Sequence, residues 1–207
     1  MRRGGPSLPL ARSGGLPRPW LLALLWLVSS ALPSVVSAEP SDAVRQQTMK
    51  AVFVYKFTLY VTWPDRVAVA PMRIGLLGDS PLQGPLEEVA RTKQARGQAI
   101  SVTRYGSVEE ARDCHVLVVP AAWTPRIHEI VAGLKGRPVL TVGDGGGMAR
   151  AGLHLGFVIQ DGRLRFEANP EALTRASLSA SSRLLKLAIR VGDDRSHVLE
   201  ETTESAD

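Results

Sequence analysis

The sequence MKAVFVYKFTLYVTWP at residues 49–64 carries apolar side chains on almost every side when wound at helical period. Phe53, Phe57 and Tyr60 share a face, flanked by Val52, Leu59 and Trp63 on one side and by Val54 and Val61 on the other. Lys50, Lys56 and the threonines are the hydrophilic positions. The segment is too short and too charged to read as a membrane span, so it belongs in a core, at an interface, or in both. One sheet face cannot cover a helix that is apolar on so many sides. The reading is therefore that Phe53, Phe57 and Tyr60 pack on a sheet, while Tyr55, Leu59 and Thr62 present a subunit or partner contact. Trp63, just before the helix-ending Pro64, can anchor either surface, because tryptophan is common at interface hot spots.

Beyond this helix, strand-like and helix-like segments alternate. MRIGLLG at 72–78 is a short apolar run, and Ser80 and Pro81 then supply an N-cap and a first-position proline for a helix to about Lys93. Residues 99–105 alternate like a strand, and SVEE at 107–110 fits a capping box that opens a short helix. HVLVVP at 115–120 is a continuous apolar strand, Thr124 and Pro125 start a helix to Leu134, and PVLTV at 138–142 is another buried strand. Two runs, 153–159 and 163–167, flank Asp161-Gly162, a strong hairpin signal. Asn169 and Pro170 then cap a last long helix to about Val191, with Leu178, Leu184, Leu185, Ala188 and Ile189 available to the core.

Apolar strands separated by helices make a parallel sheet covered on both faces, and the crossover rule favours double winding. The fold class expected is α/β: a three-layer sandwich with a mostly parallel, doubly wound sheet and an antiparallel edge hairpin.

The two ends of the chain stand apart from this pattern. Arg2, Arg3, Arg12 and Arg18 precede an apolar run at 20–32, and Val36, Ser37 and Ala38 offer a small-residue cleavage site. Residues 1–38 read as a secretory signal peptide cut after Ala38, against the rival of an uncleaved anchor. Residues 39–191 then form one domain, and the acidic stretch 192–207 reads as a disordered tail. The formal charge is +5, from 25 Lys and Arg against 20 Asp and Glu. Without the four signal arginines, 21 face 20, a net charge of about +1 that gives no reason to expect nucleic acid. Cys114 is the single cysteine, so an exported chain has no internal disulfide; it opens an apolar strand and reads as a buried, inert thiol, with an intermolecular disulfide as the lesser reading.

The candidate chemistry is thin. The glycines of GDGGG at 143–147 follow a strand, but no Gly-Lys-Ser/Thr follows, and the segment leads to a hairpin rather than a helix, so a turn is the better reading. Gly78, Asp79 and Ser80 precede a helix, where capping alone explains Ser80. His115, His128, His154 and His197 have no metal-ligand spacing. The G-x-S-x-G elbow is absent, and Asp65, Asp79, Asp144 and Glu167 have no inferable pairing. No catalytic residue, cofactor or metal is assigned.

Several motifs in order carry a resemblance. They are KAVFVYKF at 50–57 ending in VTWP at 61–64, IGLLG at 74–78, CHVLV at 114–118, LTVGD at 140–144, RLRFEAN at 163–169 and SSRLLKLA at 181–188. Together they resemble the YfiR family of exported bacterial proteins over about residues 44–191. The resemblance implies a periplasmic regulator that represses an inner-membrane diguanylate cyclase by binding its periplasmic part, and a lipoprotein at the outer membrane that draws the repressor away. It also implies a homodimer and no catalytic residues. Relatives carry a disulfide from the Cys114 position to the first strand; here the nearest positions are Ile74 and Gly75, so that bond cannot form. Relatives also show a Gly-Gly-Met-Ile-like sequence before the hairpin, where this chain has GLHL at 152–155. The residues leave a second reading open, a periplasmic small-molecule-binding protein using the cleft at the carboxyl ends of the parallel strands, and an enzyme as a third.

Overall fold

Ser41 sets the start of the first helix: its Oγ accepts from the Val44 N–H at 3.4 Å. The computed structural model describes residues 41–64 and 71–192. The expected signal peptide, most of the acidic tail, Asp65 and His197 lie outside the described residues. Helix α1 runs Asp42–Tyr60, so it begins at Asp42 rather than Met49 and ends before Val61 rather than at Pro64. Its end is set by pairing. Val61–Thr62 is strand β1, suited to extended backbone by its β-branched side chains.

Strand β2 is Met72–Leu77 and helix α2 is Gln83–Thr92. Ser80 does not cap α2; its Oγ accepts from Leu82 N–H at 3.2 Å in the turn before the helix. Strands β3, Gln94–Ala95, and β4, Gln98–Tyr105, form a tight hairpin that the sequence pattern did not suggest. Arg96 and Gly97 both have positive φ in its turn, as a two-residue hairpin loop requires. A 3₁₀ turn, Glu110–Asp113, follows. Half of the capping box expected there is present: Ser107 Oγ accepts from Glu110 N–H, while Glu110 Oε2 accepts from Gly106 N–H rather than from Ser107.

Strand β5 is Val116–Pro120, a 3₁₀ turn spans Ala121–Arg126, and helix α3 is Ile127–Gly133. Thr124 is therefore no α-helical cap; its hydroxyl donates to the Ala121 carbonyl inside the 3₁₀ turn. Strands β6, Leu140–Asp144, β7, Leu155–Gln160, and β8, Arg163–Ala168, complete the main run. Asp161 and Gly162 close the β7–β8 hairpin with positive φ, as their sequence demands.

The last segment departs most from expectation. In place of one long helix come α4, Pro170–Arg175, β9, Ser179–Ala180, α5, Ser182–Leu187, and β10, Ile189–Arg190. Asn169 caps α4 through Ala172 N–H, as expected. Ser177 then turns left-handed, and β9 pairs antiparallel with β1. Ser181 N–H donates to the Tyr60 carbonyl, and Ser181 Oγ caps α5 at Leu184. A serine-rich stretch with weak helix preference gives way to tertiary pairing with the end of α1.

Among the described residues the main sheet has eight strands in the order β10-β8-β7-β6-β5-β2-β4-β3. Strands β4, β2, β5, β6 and β7 are parallel neighbours, β7 and β8 antiparallel, and β10 adds parallel outside β8. The α/β sandwich is the fold expected. Ile74, Leu76, Val116, Val118, Leu140 and Val142 face a core shared with α1, α2, α4 and α5. Leu77, Leu117 and Val119 face a second core, shared with the first 3₁₀ turn and α3. Burial on both faces is why these strands read as continuous apolar runs.

All four phenylalanines of the chain meet between α1 and the hairpin. Phe57 lies 5.1 Å from Phe166 and 6.0 Å from Phe157, and Phe53 lies 5.8 Å and 6.2 Å from the same rings, centroid to centroid. These separations are those of favourable aromatic pairs. One turn before Phe53, Lys50 Nζ meets Asp144 Oδ1 at 2.6 Å with both side chains largely buried, which ties the helix to the end of β6. Arg96 closes the other end of α1: its guanidinium donates to the Thr58 and Val61 carbonyls. The last turn of α1 has no basic residue of its own, so Arg96 supplies the charge that helix carbonyls favour. Phe57→Ala should cost about 3–5 kcal/mol in urea unfolding, whereas Val52→Ala on the same helix should stay within about 0.5 kcal/mol.

Candidate partner-binding face

Helix α1 buries one arc and exposes another. Ala51, Val54, Phe57 and Thr58 are buried, and Phe53 and Tyr60 pack partly buried against the same core. On the opposite side, Arg45, Met49, Val52, Lys56 and Leu59 recur at spacings of three and four and form one exposed row. Met49 is 52% exposed, Val52 39% and Leu59 37%. Scattered surface hydrophobics need no explanation, but three in register on one helix leave an apolar strip interrupted only by Lys56. Among the described residues Lys56 has no carboxylate partner.

The four residues singled out in the sequence do not share one fate. Leu59 lies on the exposed row. Thr62 is exposed in β1, beside the Arg96 guanidinium at 3.5 Å. Tyr55 lies on the margin of the row, half-buried, and its hydroxyl donates to the Gln94 carbonyl at 3.1 Å. Trp63 is only 4% exposed; its indole N–H donates to the His115 carbonyl at 3.1 Å, and its ring meets the His115 ring edge-on. It anchors the core beneath β5 and offers almost no surface to a partner. Sequence reasoning missed Met49 and Val52 as members of the outer row, although the spacing of 49, 52, 56 and 59 was there to read.

Among the described residues, no group of three or more His, Cys, Asp or Glu stands where it could hold a metal ion. No described helix is long and apolar enough to cross a membrane. Cys114 is buried, and burial pushes its thiol up to about 12, so the reactive thiolate is suppressed. A β-carbon on Gly75 would stand 3.2 Å from Cys114 Sγ, so the sulfur packs directly against β2.

His154 is a buried imidazole. Its Nδ1 accepts from Thr141 N–H at 2.9 Å and lies 2.8 Å from Thr141 Oγ1, which in turn accepts from His154 N–H. The acceptor role of Nδ1 fixes a neutral ring. Burial pushes its pKa down to about 4, against the pull of a backbone hydrogen bond at Ala172. The unfolded chain takes up a proton near pH 6.5 and the folded chain only near 4, so the penalty is absent above about pH 6.5 and grows as pH falls. At full extent it amounts to about 3 kcal/mol. Urea midpoints should therefore fall between pH 7 and pH 4.5, and His154→Asn, which keeps an acceptor for Thr141, should flatten that slope.

Comparison with known proteins places this geometry. A solved structure, the crystal structure of a conserved domain protein from Vibrio cholerae O1 biovar eltor str. N16961, is similar in fold. The TM-score is 0.50 at 10% sequence identity, over 70% of this chain and 59% of that one. The chain thus spans about three fifths of the length of that structure. A profile described as YfiR/HmsC-like matches residues 47–189, which takes in α1 from its second turn, the exposed positions from Met49 to Leu59 and the main sheet as far as Ile189. That match covers well over half of the sequence, and the chain belongs to the YfiR/HmsC-like family.

Proposed function

We propose that the protein is an exported periplasmic regulator that binds and inhibits the periplasmic part of an inner-membrane signalling enzyme, a diguanylate cyclase. The observation that carries this reading is the exposed row of α1, Met49, Val52 and Leu59, inside the span matched by the YfiR/HmsC-like profile. It is a surface for contact rather than for chemistry. Its exposed cation, Lys56, favours a partner whose apolar face carries a carboxylate.

Inhibition follows by population shift. A regulator that binds the inactive form of the sensor domain more tightly than the active form moves the equilibrium by that difference in affinity. Moving a balance from 1:99 to 99:1 takes about 5.5 kcal/mol of differential binding, and a partial response takes less. An outer-membrane lipoprotein competing for the repressor would release the cyclase. Export through a signal cut after Ala38 and self-association into a homodimer are parts of the same proposal, with no cofactor and no catalytic step in this chain.

The rigid mounting of α1 matters here, because a preorganised face loses little entropy on binding. Leu59→Asp and Val52→Asp should weaken binding to the cyclase's periplasmic domain by about ten-fold or more, equivalent to about 1.4 kcal/mol each, without lowering the thermal midpoint of the free protein. Titration calorimetry with that domain reads the affinity, and sedimentation velocity of the same variants reads any self-association through this face. Unchanged binding in both variants would move the contact elsewhere; unfolding of Leu59→Asp to the same degree as Phe57→Ala would make α1 purely a core helix.

A further inference from the structure

A cavity of about 650 Å³ lies at the amino-terminal ends of β6 and β7, between α3 and α4. It is at the other end of the sheet from the cleft where doubly wound folds ordinarily hold ligands. Its size is within the range of pockets that take small organic molecules. The walls are apolar: Val131, Ala132 and Leu134 on one side, Ala172 and Ala176 on the other. Val131 is 41% exposed towards this space, without a packing partner that buries it. Gly152, at φ +124°, keeps the wall open, since a β-carbon there would stand 3.3 Å from Val131 Cγ2.

The polar groups are sorted by depth. Thr141 and His154 form the buried floor, and they already satisfy each other. The floor therefore asks nothing of a ligand. At the rim stand the exposed side chains of His128, Lys135 and Arg175. No aspartate or glutamate lines the cavity. Glu171 reaches Arg175 at 3.5 Å, but both side chains are well exposed, and such a pair is weak. Lys135 has no carboxylate partner among the described residues.

An apolar chamber with a cationic rim selects one class of molecule. We infer that this cavity binds an amphipathic monoanion, a carboxylate or sulfonate with an apolar body. The body lies between α3 and α4, and the anionic head meets Lys135 and Arg175. A charge on the body would be left against apolar walls, and a cationic head would face only like charge at the rim. This site is separate from the outer row of α1 and stands whether or not that row binds a cyclase.

The test uses the purified protein with 8-anilinonaphthalene-1-sulfonate as fluorescent probe and decanoate, decanol and decylamine as competitors. The expected result is one probe molecule per chain, displaced by decanoate, with decanol and decylamine at least about ten-fold weaker. Lys135→Glu combined with Arg175→Glu should weaken both anions about ten-fold or more while leaving thermal unfolding unchanged. Ala132→Trp, at an exposed wall position, should abolish binding; Ala176→Phe blocks the same space from the opposite wall and serves if the first variant misfolds. Equal displacement by decanol, an unaltered affinity in the charge-reversed variant, or binding that survives the blocking substitution would each overturn the assignment.

Discussion

The contact between Phe53 and Phe57 of α1 and Phe157 and Phe166 of the hairpin is the joint on which the rest of the structure depends. These four rings are the whole phenylalanine content of the chain, and they join elements a hundred residues apart in sequence. Without disulfides, packing must hold them. The cluster fixes which arc of α1 faces inward, and that choice fixes which arc faces outward. Lys50 with Asp144 and Arg96 with the last carbonyls of α1 set the remaining freedom of the helix along its axis. The ion pair adds geometric specificity more than net stability, because desolvating two charges offsets much of their attraction.

Much of this was legible in the sequence. The apolar runs at β2, β5 and β6 and the Asp-Gly turn of β7–β8 follow from burial and turn chemistry that act locally; the structure has β2, β5 and the turn where the pattern put them, and β6 two residues later, at Leu140–Asp144. The all-round apolar character of the 49–64 segment led to a helix with one face in the core and another outside. What was not legible rests on contacts between distant residues. Nothing local in 177–191 announces that Ser179 and Ala180 will pair with Thr62 and Val61 instead of continuing a helix. The role of Arg96 at the end of α1 comes from a left-handed turn in a hairpin too short to show a strand period. Trp63 was equally placed for core or surface, and only the position of the His115 carbonyl decides it.

The functional surfaces follow the same division. The α1 row could be found from spacing, because a helix face is a periodic object. The cavity between α3 and α4 could not, because Val131, Gly152, His154 and Arg175 come together only through the sheet order. The two surfaces also differ in physics. The row is an exposed, largely apolar helix face, suited to a protein partner; the cavity is concave, with its cations at the mouth, suited to a small anion.

Hydroxyl-radical footprinting of the protein alone and bound to the cyclase's periplasmic domain tests the central claim most directly. Met49 is half exposed and Met148 fully buried, so the free protein should label at Met49 and not at Met148. In the complex, labelling at Met49 and Leu59 should fall together while the cavity wall residue Val131 keeps its labelling. Unchanged labelling of Met49 and Leu59 in a complex that protects another surface would contradict the account.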